Sequence, residues 1–316
     1  MQPPVRIGTR ASRLAQAQSR MMQARIAEAL GASAEQAEEV APLVLITTTG
    51  DRIQDRRLIE AGGKALFTKE IEEALLDGRI DLAIHSMKDV PAEMPEGLAI
   101  AAVPEREDPR DAFVSLKWDR LEDLPRGARL GTASLRRQAQ SLRVRPDLVV
   151  EMLRGNVDTR LRRLEEGDFD AILLAASGLK RLGLSDVIRD RIPLDQAPGA
   201  PGQGALAIQS RSADAGAAWL KTIHHHETAV CVAAERGALT ALEASCRTAM
   251  GASATLSDGR LRLVTEALSA DGRERWRREG EIAIGAVADP EAAARTFGFD
   301  LGAQVRAEAG DKLVQG

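Results

Sequence analysis

The chain has 316 residues, 44% of them hydrophobic and 28% charged, which supports a large core and sets two or three globular domains as the expectation. A net charge of −4, an aromatic content of 3% and the lack of any tyrosine argue against a nucleic-acid partner, which needs a basic field or stacking rings. Two cysteines suit a reducing compartment, the opening "MQPPVRIGTR" has no apolar leader, and no apolar run approaches ~20 residues, so a cytoplasmic protein without a membrane partner is expected.

In chain order, "VRIG" reads as a strand and "SRLAQAQSRMMQARIAEAL" as a helix capped by Ser12. "PLVLITT" is a second strand, "LFTKEIEEALLDG" a helix stopping at Gly78, and "IDLAIHS" a third strand. Alternating strands and helices predict a parallel sheet. "LAIAAVPEREDPRDAFVS" holds two strand-like runs joined by a charged connector, after which the same grammar restarts through "ARLGTASLRRQ", "LVVEMLRGNVDTRLRRLEEG" and "DFDAILLAASGLKRLG". The stretch "DQAPGAPGQG", dense in Gly and Pro, precedes a returning strand "ALAIQSR". A long helix from "HHHETAV", short strands split by Asp-Gly turns, and a last helix from about Pro290 to Ala309 complete the chain. The expected division is an α/β domain of residues 1–104 and 200–220, a second α/β domain of 105–199, and a smaller α+β domain of 221–316.

Of the 43 basic residues, 36 are arginine, whose planar fork suits carboxylate and phosphate. Several stand where strands give way to helices: Arg10, Arg136, Arg137, Arg154, Arg160 and Arg181. Ligands of open α/β sheets lie at the carboxyl ends of strands, beside helix N-termini that favour anions. Ser12, Thr132 and Ser134 add hydroxyls there, so a cleft for a small polyanion is expected. "GTASL" and "GGKAL" fall short of the full phosphate-loop spacing, and "RIGTRAS" lacks the third glycine of a dinucleotide fingerprint. Lys88 and Asp89 end the third strand, either as a cap before Pro91 or as an acid–base pair facing the cleft. Cys231 fits a packed helical position, whereas Cys246, among small residues and beside Arg247, fits an accessible thiolate. His224, His225 and His226 are consecutive and have no matching Cys/His pairs, so no metal site is expected.

The motifs "RIGTRASRLAQAQ", "GGKALFTKEIEEALLDGRIDLAIHSMKDVP", "REDPRDAFVS", "GTASLRRQ", "LRGNVDTRL", "AASGLKRLG", "APGQGALAI" and "HHETAVCVAAER" occur in one order over nearly the whole chain. In this the chain resembles the hydroxymethylbilane synthase (porphobilinogen deaminase) family. The resemblance implies two α/β domains like type II periplasmic binding proteins plus a small C-terminal α+β domain. It implies a transferase that joins four porphobilinogen molecules into the linear hydroxymethylbilane, releasing ammonia, in porphyrin and haem biosynthesis. The work starts from a dipyrromethane cofactor held by a thioether to Cys246. Asp89 then occupies the catalytic position. The cofactor's contacts fall to Lys88, Asp89, Thr132, Ser134, Arg136, Arg137 and Arg160, and those of the substrate to Arg10, Ser12, Lys64, Phe67, Ser86, Arg154, Arg181 and Gln203. Nothing in the sequence demands more than a monomer, and a hand-over of the product to uroporphyrinogen-III synthase is the partner expectation. Departures from the family pattern are Ala244 and Ser245 before Cys246, Glu60 where relatives can carry lysine, and Asp158 inside an anion-site motif. A non-catalytic two-lobed binding protein for a small polyanion, and thiol chemistry at Cys246 with a histidine, are the competing readings.

Overall fold

A computed structural model describes residues 4–52, 68–242 and 248–314. Among them run the strands β1 (Ile7–Arg10), β2 (Leu43–Ile46), β3 (Leu82–Ser86), β4 (Leu98–Ala102), β5 (Asp111–Val114), β6 (Arg129–Gly131) and β7 (Val149–Glu151). Then follow β8 (Ala171–Ala175), β9 (Asp190–Ile192), β10 (Leu206–Arg211), β11 (Ala249–Ser257), β12 (Arg260–Leu268) and β13 (Arg275–Ala283). The helices are α1 (Arg13–Ala29), α2 (Ala37–Val40), α3 (Thr49–Arg52), α4 (Lys69–Leu76) and α5 (Leu135–Val144). They continue with α6 (Val157–Glu165), α7 (Ala176–Arg181), α8 (His226–Ala241) and α9 (Pro290–Ala309). Two compact units result. One holds the described residues of Met1–Glu107 and Ala205–Ala229, the other those of Asp108–Gly204 and Val230–Gly316.

The first unit carries a five-stranded sheet of order β2-β1-β3-β10-β4. The pleat sorts its side chains to two faces. Leu82 and Ile84 of β3 join Ile7, Met22, Ile26 and Ile208 on one, while Ala83 joins Ile71, Leu75 and Ile80 on the other. Helix α1 begins where the sequence places it, the Ser12 side chain accepting a hydrogen bond from the Ala15 N–H at 3.3 Å. Its buried Gln18, Met22 and Ile26 recur every four residues, one helical face laid on the sheet.

The second unit repeats the plan, with order β7-β6-β8-β5-β9. In β8 the alternation sends Ala171 and Leu173 to a cluster with Phe113 and Leu130, and Ile172 and Leu174 to one with Leu153, Phe169 and Leu179. Neither sheet is wholly parallel, against the expectation. β10 runs antiparallel to β3 and β4, and β5 antiparallel to β8 and β9. Each of these strands follows a connector that brings the chain over from the other unit. No βαβ crossover therefore fixes its direction.

The antiparallel sheet β11-β12-β13 and α9 also belong to this unit. Asp289 caps α9 by accepting from the Ala292 N–H at 3.0 Å, with Pro290 in the first turn. Gly237 on α8 and Gly298 on α9 let the two backbones touch: a Cβ on either would stand 2.1 Å or 1.9 Å from a carbonyl oxygen of the other helix.

Candidate active site

Within the first unit, Arg10, Ser12, Ser86 and Asp89 line one cleft of about 430 Å³, together with Gln18, Thr68 and His85. Arg10 closes β1 and Ser12 opens α1, while Ser86 closes β3 and Asp89 ends the one-turn 3₁₀ helix Met87–Asp89 that follows it. β1 and β3 are parallel, so their carboxyl ends lie at one edge of the sheet. The turn bearing Asp89 is pinned by two backbone bonds, Met87 N–H to Ala205 O at 3.0 Å and Val90 N–H to Met87 O at 3.1 Å. Val90 is extended, as a residue before proline must be. The Gln18 amide donates to the Ser86 hydroxyl at 3.0 Å, which ties α1 to the carboxyl end of β3. Lys88 sits half-buried in the same turn. Lys64, Phe67, Glu60, Ala244, Ser245 and Cys246 lie outside the described residues.

His85 is a member of this cleft that motif reading passed over, although a histidine inside the apolar run "LAIHS" is itself a signal. Its Nε2 lies 2.9 Å from Gln209 Oε1. Burial is the main influence on the ring and outweighs the Gln209 bond and Asp89, so its pKa falls to about 4, with Arg10 adding to the fall. The ring is thus neutral when folded and takes up its proton in the unfolded chain first. Stability from this source is complete above about pH 6.5 and declines as pH drops through about 4. A difference of that size corresponds to roughly 3 kcal/mol. Urea denaturation of the wild type from pH 7 to pH 4 is expected to show that decline, with a shallower slope in His85→Asn.

In the second unit the expected anion binders gather after three parallel strands. Thr132 and Ser134 follow β6, Arg154 and Arg160 follow β7, and α7, ending in Arg181, follows β8. Ser134 caps α5 and Asn156 caps α6, accepting from the Arg137 N–H and, at 2.8 Å, the Thr159 N–H. Asp158 stands in the first turn of α6, where a carboxylate suits the helix dipole; that accounts for an acid in this motif. The Arg160 Nε donates to Gly155 O at 2.9 Å and Arg181 Nη2 to Gly204 O at 2.6 Å.

Arg136 and Arg137 have a partner that motif reading did not name. Both are buried, at 5% and 6% exposure, against Asp111 at the start of β5, itself 2% exposed. Arg136 Nη1 meets Asp111 Oδ2 at 2.6 Å, and Arg137 Nη2 and Nε meet Oδ1 at 2.8 and 3.0 Å. Gln203 Nε2 adds a bond to the same Oδ1 at 2.9 Å. Burial would raise the Asp111 carboxyl, but the charges and hydrogen bonds of the two arginines prevail and hold it well below the usual carboxylate range. Gln203 is presented by a loop with Gly202 and Gly204 at φ of 75° and 89°, and the buried Glu235 grips the Gly202 N–H at 2.7 Å.

Two buried N–H groups near this edge, Arg136 Nε and Arg154 Nη1, have no hydrogen-bond partner among the described residues. A carboxylate-bearing group fits such donors. Among the described residues no three His, Cys, Asp or Glu side chains form a metal cluster, and His225 Nδ1 is 2.9 Å from the Thr228 hydroxyl. No helix among them is long and apolar enough to cross a membrane.

Comparison with known proteins bears on the same residues. The family description "Porphobilinogen deaminase, dipyromethane cofactor binding domain" matches residues 5–218, and "Porphobilinogen deaminase, C-terminal domain" matches 229–307. A porphobilinogen deaminase of Caulobacter vibrioides (strain NA1000 / CB15N) is 63% identical over 317 residues, covering 99% of this chain and 98% of that protein. One from Phenylobacterium zucineum (strain HLK1) is 61% identical over 316 residues, with 99% of each covered. Among solved structures, the methionine binding protein MetQ aligns with 69% of this chain and 87% of its own at 14% identity and a TM-score of 0.43. With family matches over both parts of the sequence and relatives alike along its full length, the chain belongs to the porphobilinogen deaminase (hydroxymethylbilane synthase) family.

Proposed function

We propose that this transferase couples four porphobilinogen molecules head to tail into 1-hydroxymethylbilane, with Asp89 as its catalytic carboxylate and a dipyrromethane held through Cys246. The observation that carries the reading is the first unit's cleft, where Asp89 is the one acid among the described lining residues and stands with Arg10, Ser12 and Ser86. Porphobilinogen bears an acetate and a propionate, which Arg10 and the hydroxyls can hold. Its aminomethyl group leaves as ammonia, and positive charge develops on the substrate at that moment. Asp89 stabilises that charge, supplies a proton to the departing amine, and takes the pyrrole α-proton after coupling. A bound dipyrromethane supplies the nucleophilic pyrrole from which the chain grows. Lys88, Thr132, Ser134 and Arg160 hold its carboxylates, while Arg136 and Arg137, fixed by Asp111, present their remaining N–H groups; Arg154, Arg181 and Gln203 complete the substrate-binding set. Lys64 and Phe67 are assigned to substrate on their motif positions alone.

This reading keeps three domains, 1–104 with 200–220, 105–199 and 221–316, the last carrying the cofactor loop. It also includes a cytoplasmic monomer that passes its product to uroporphyrinogen-III synthase. Purified enzyme given porphobilinogen is expected to consume it with release of one ammonia per molecule. Porphobilinogen left unconsumed by protein that gives the dipyrromethane colour with Ehrlich's reagent would contradict the assignment and favour a binding protein.

A further inference from the structure

His85 and Gln209 are neighbours by register. Ala207 pairs with His85 and Gln209 with Ala83 across β3 and β10, so the two polar side chains lie diagonally on one sheet face. Helix α4 covers that face with Ile71, Ala74, Leu75 and the buried Glu72. Gln209, 1% exposed, bridges the other two: its Nε2 donates to Glu72 Oε1 at 3.3 Å and its Oε1 faces His85 Nε2 at 2.9 Å. Chemistry settles the direction of this chain. A carboxylate only accepts, so the Gln209 amide N–H₂ turns to Glu72 and its carbonyl to His85, and the facing ring nitrogen must carry a hydrogen.

We propose that Glu72 and Gln209 fix His85 as the neutral Nε2–H tautomer, leaving Nδ1 without a hydrogen in the cleft beside Asp89, and that His85 is thereby a positioning residue for Asp89. The inference rests on the catalytic reading of Asp89. The charged groups that act on the ring among the described residues are Asp89 from the turn after β3 and Arg10 from β1, with Glu72 of α4 behind Gln209. An imidazolium at this point would pair with the Asp89 carboxylate and repel the cation that forms as ammonia departs. A neutral ring leaves the carboxylate's charge for the cation that forms as ammonia departs. The low pKa that burial gives the ring agrees with this arrangement.

The test uses the holoenzyme, with long-range ¹H–¹⁵N spectra of the four histidines and His85→Asn as the assignment control. In the wild type, His85 is expected to show the Nε2–H neutral ring throughout pH 5 to 8. Gln209→Glu puts a carboxylate against Nε2, so His85 should become charged near neutrality. The acid limb of kcat should then move up by about one pH unit, with KM for porphobilinogen and the Ehrlich colour unchanged. An Nδ1–H ring in the wild type, titration near the ordinary value of about 6.5, or a charged His85 in the variant with no loss of turnover at pH 6 would overturn the inference. If Gln209→Glu fails to fold, the wild-type spectrum still decides the tautomer. Normal turnover of Asp89→Asn would be a different failure, one of the catalytic reading, and would leave the tautomer result standing.

Discussion

Asp89→Asn is expected to lower kcat by about two to three orders of magnitude while leaving the fold and the attached cofactor in place. The exchange keeps the shape of the side chain and removes its charge and its basicity. The turn that carries it is held by backbone bonds from Met87 and Val90, which the side chain does not make. The protein should therefore melt as the wild type does and give the same Ehrlich colour. What is lost is the one carboxylate among the cleft's described lining residues, the group that faces the developing cation and exchanges a proton with the substrate. Arg10, Ser12 and Ser86 remain, so KM should change far less than kcat. Steady-state rates within a few fold of wild type would remove Asp89 from the chemistry.

The second large effect is on stability. Asp111→Asn should cost about 3 to 5 kcal/mol, because two buried guanidinium groups would lose the charge that compensates them. For a protein of this size that is a fall of roughly 10 °C in melting temperature. The amide also cannot accept from Arg136, Arg137 and Gln203 together, as Asp111 does through four contacts of 2.6 to 3.0 Å. Cofactor content should drop with stability, since Arg136 and Arg137 lose their orientation. The pH dependence separates this group from His85. A carboxyl held below its ordinary value contributes above about pH 3.8 and loses that contribution only as pH falls through its lower folded value. Between pH 7 and pH 4 the Asp111 contribution is therefore constant, and the decline there belongs to groups such as His85. A melting temperature within about 2 °C of wild type would show that the triad is not what holds β5 and α5 together.

Local features were readable from the sequence because their causes are local. Ser12 three residues before Ala15 and Asp289 before Pro290 are capping signals, and both helices start there. The segment "DLAIHSMKDVP" announced a strand ending on Asp89, and the strand does end at Ser86 with Asp89 one turn on. Its first reading as a cap gives way to a place in a cleft with Arg10 and Ser12, which requires β1 and β3 to be parallel neighbours. Long-range pairing was not readable. The antiparallel entry of β5 and β10 depends on where the chain returns after leaving a unit. The contacts of His85 with Gln209 and of Gln209 with Glu72 span 124 and 137 residues, and no periodicity encodes them. Asp111 lay inside the quoted "REDPRDAFVS", but nothing local says that a residue 25 positions from Arg136 will share its guanidinium. Arginines at strand ends were read as ligand groups, and the buried carboxylate that orders two of them emerged only in three dimensions.

The central claim is that this chain builds its product on a dipyrromethane tied to one particular sulfur. Intact-protein mass spectrometry, followed by digestion, tests it most directly. The account predicts the polypeptide mass plus one dipyrromethane, with the added mass on the peptide that contains Cys246 and none on the peptide that contains Cys231. A bare polypeptide mass from active enzyme, or the addition found on Cys231, would contradict it.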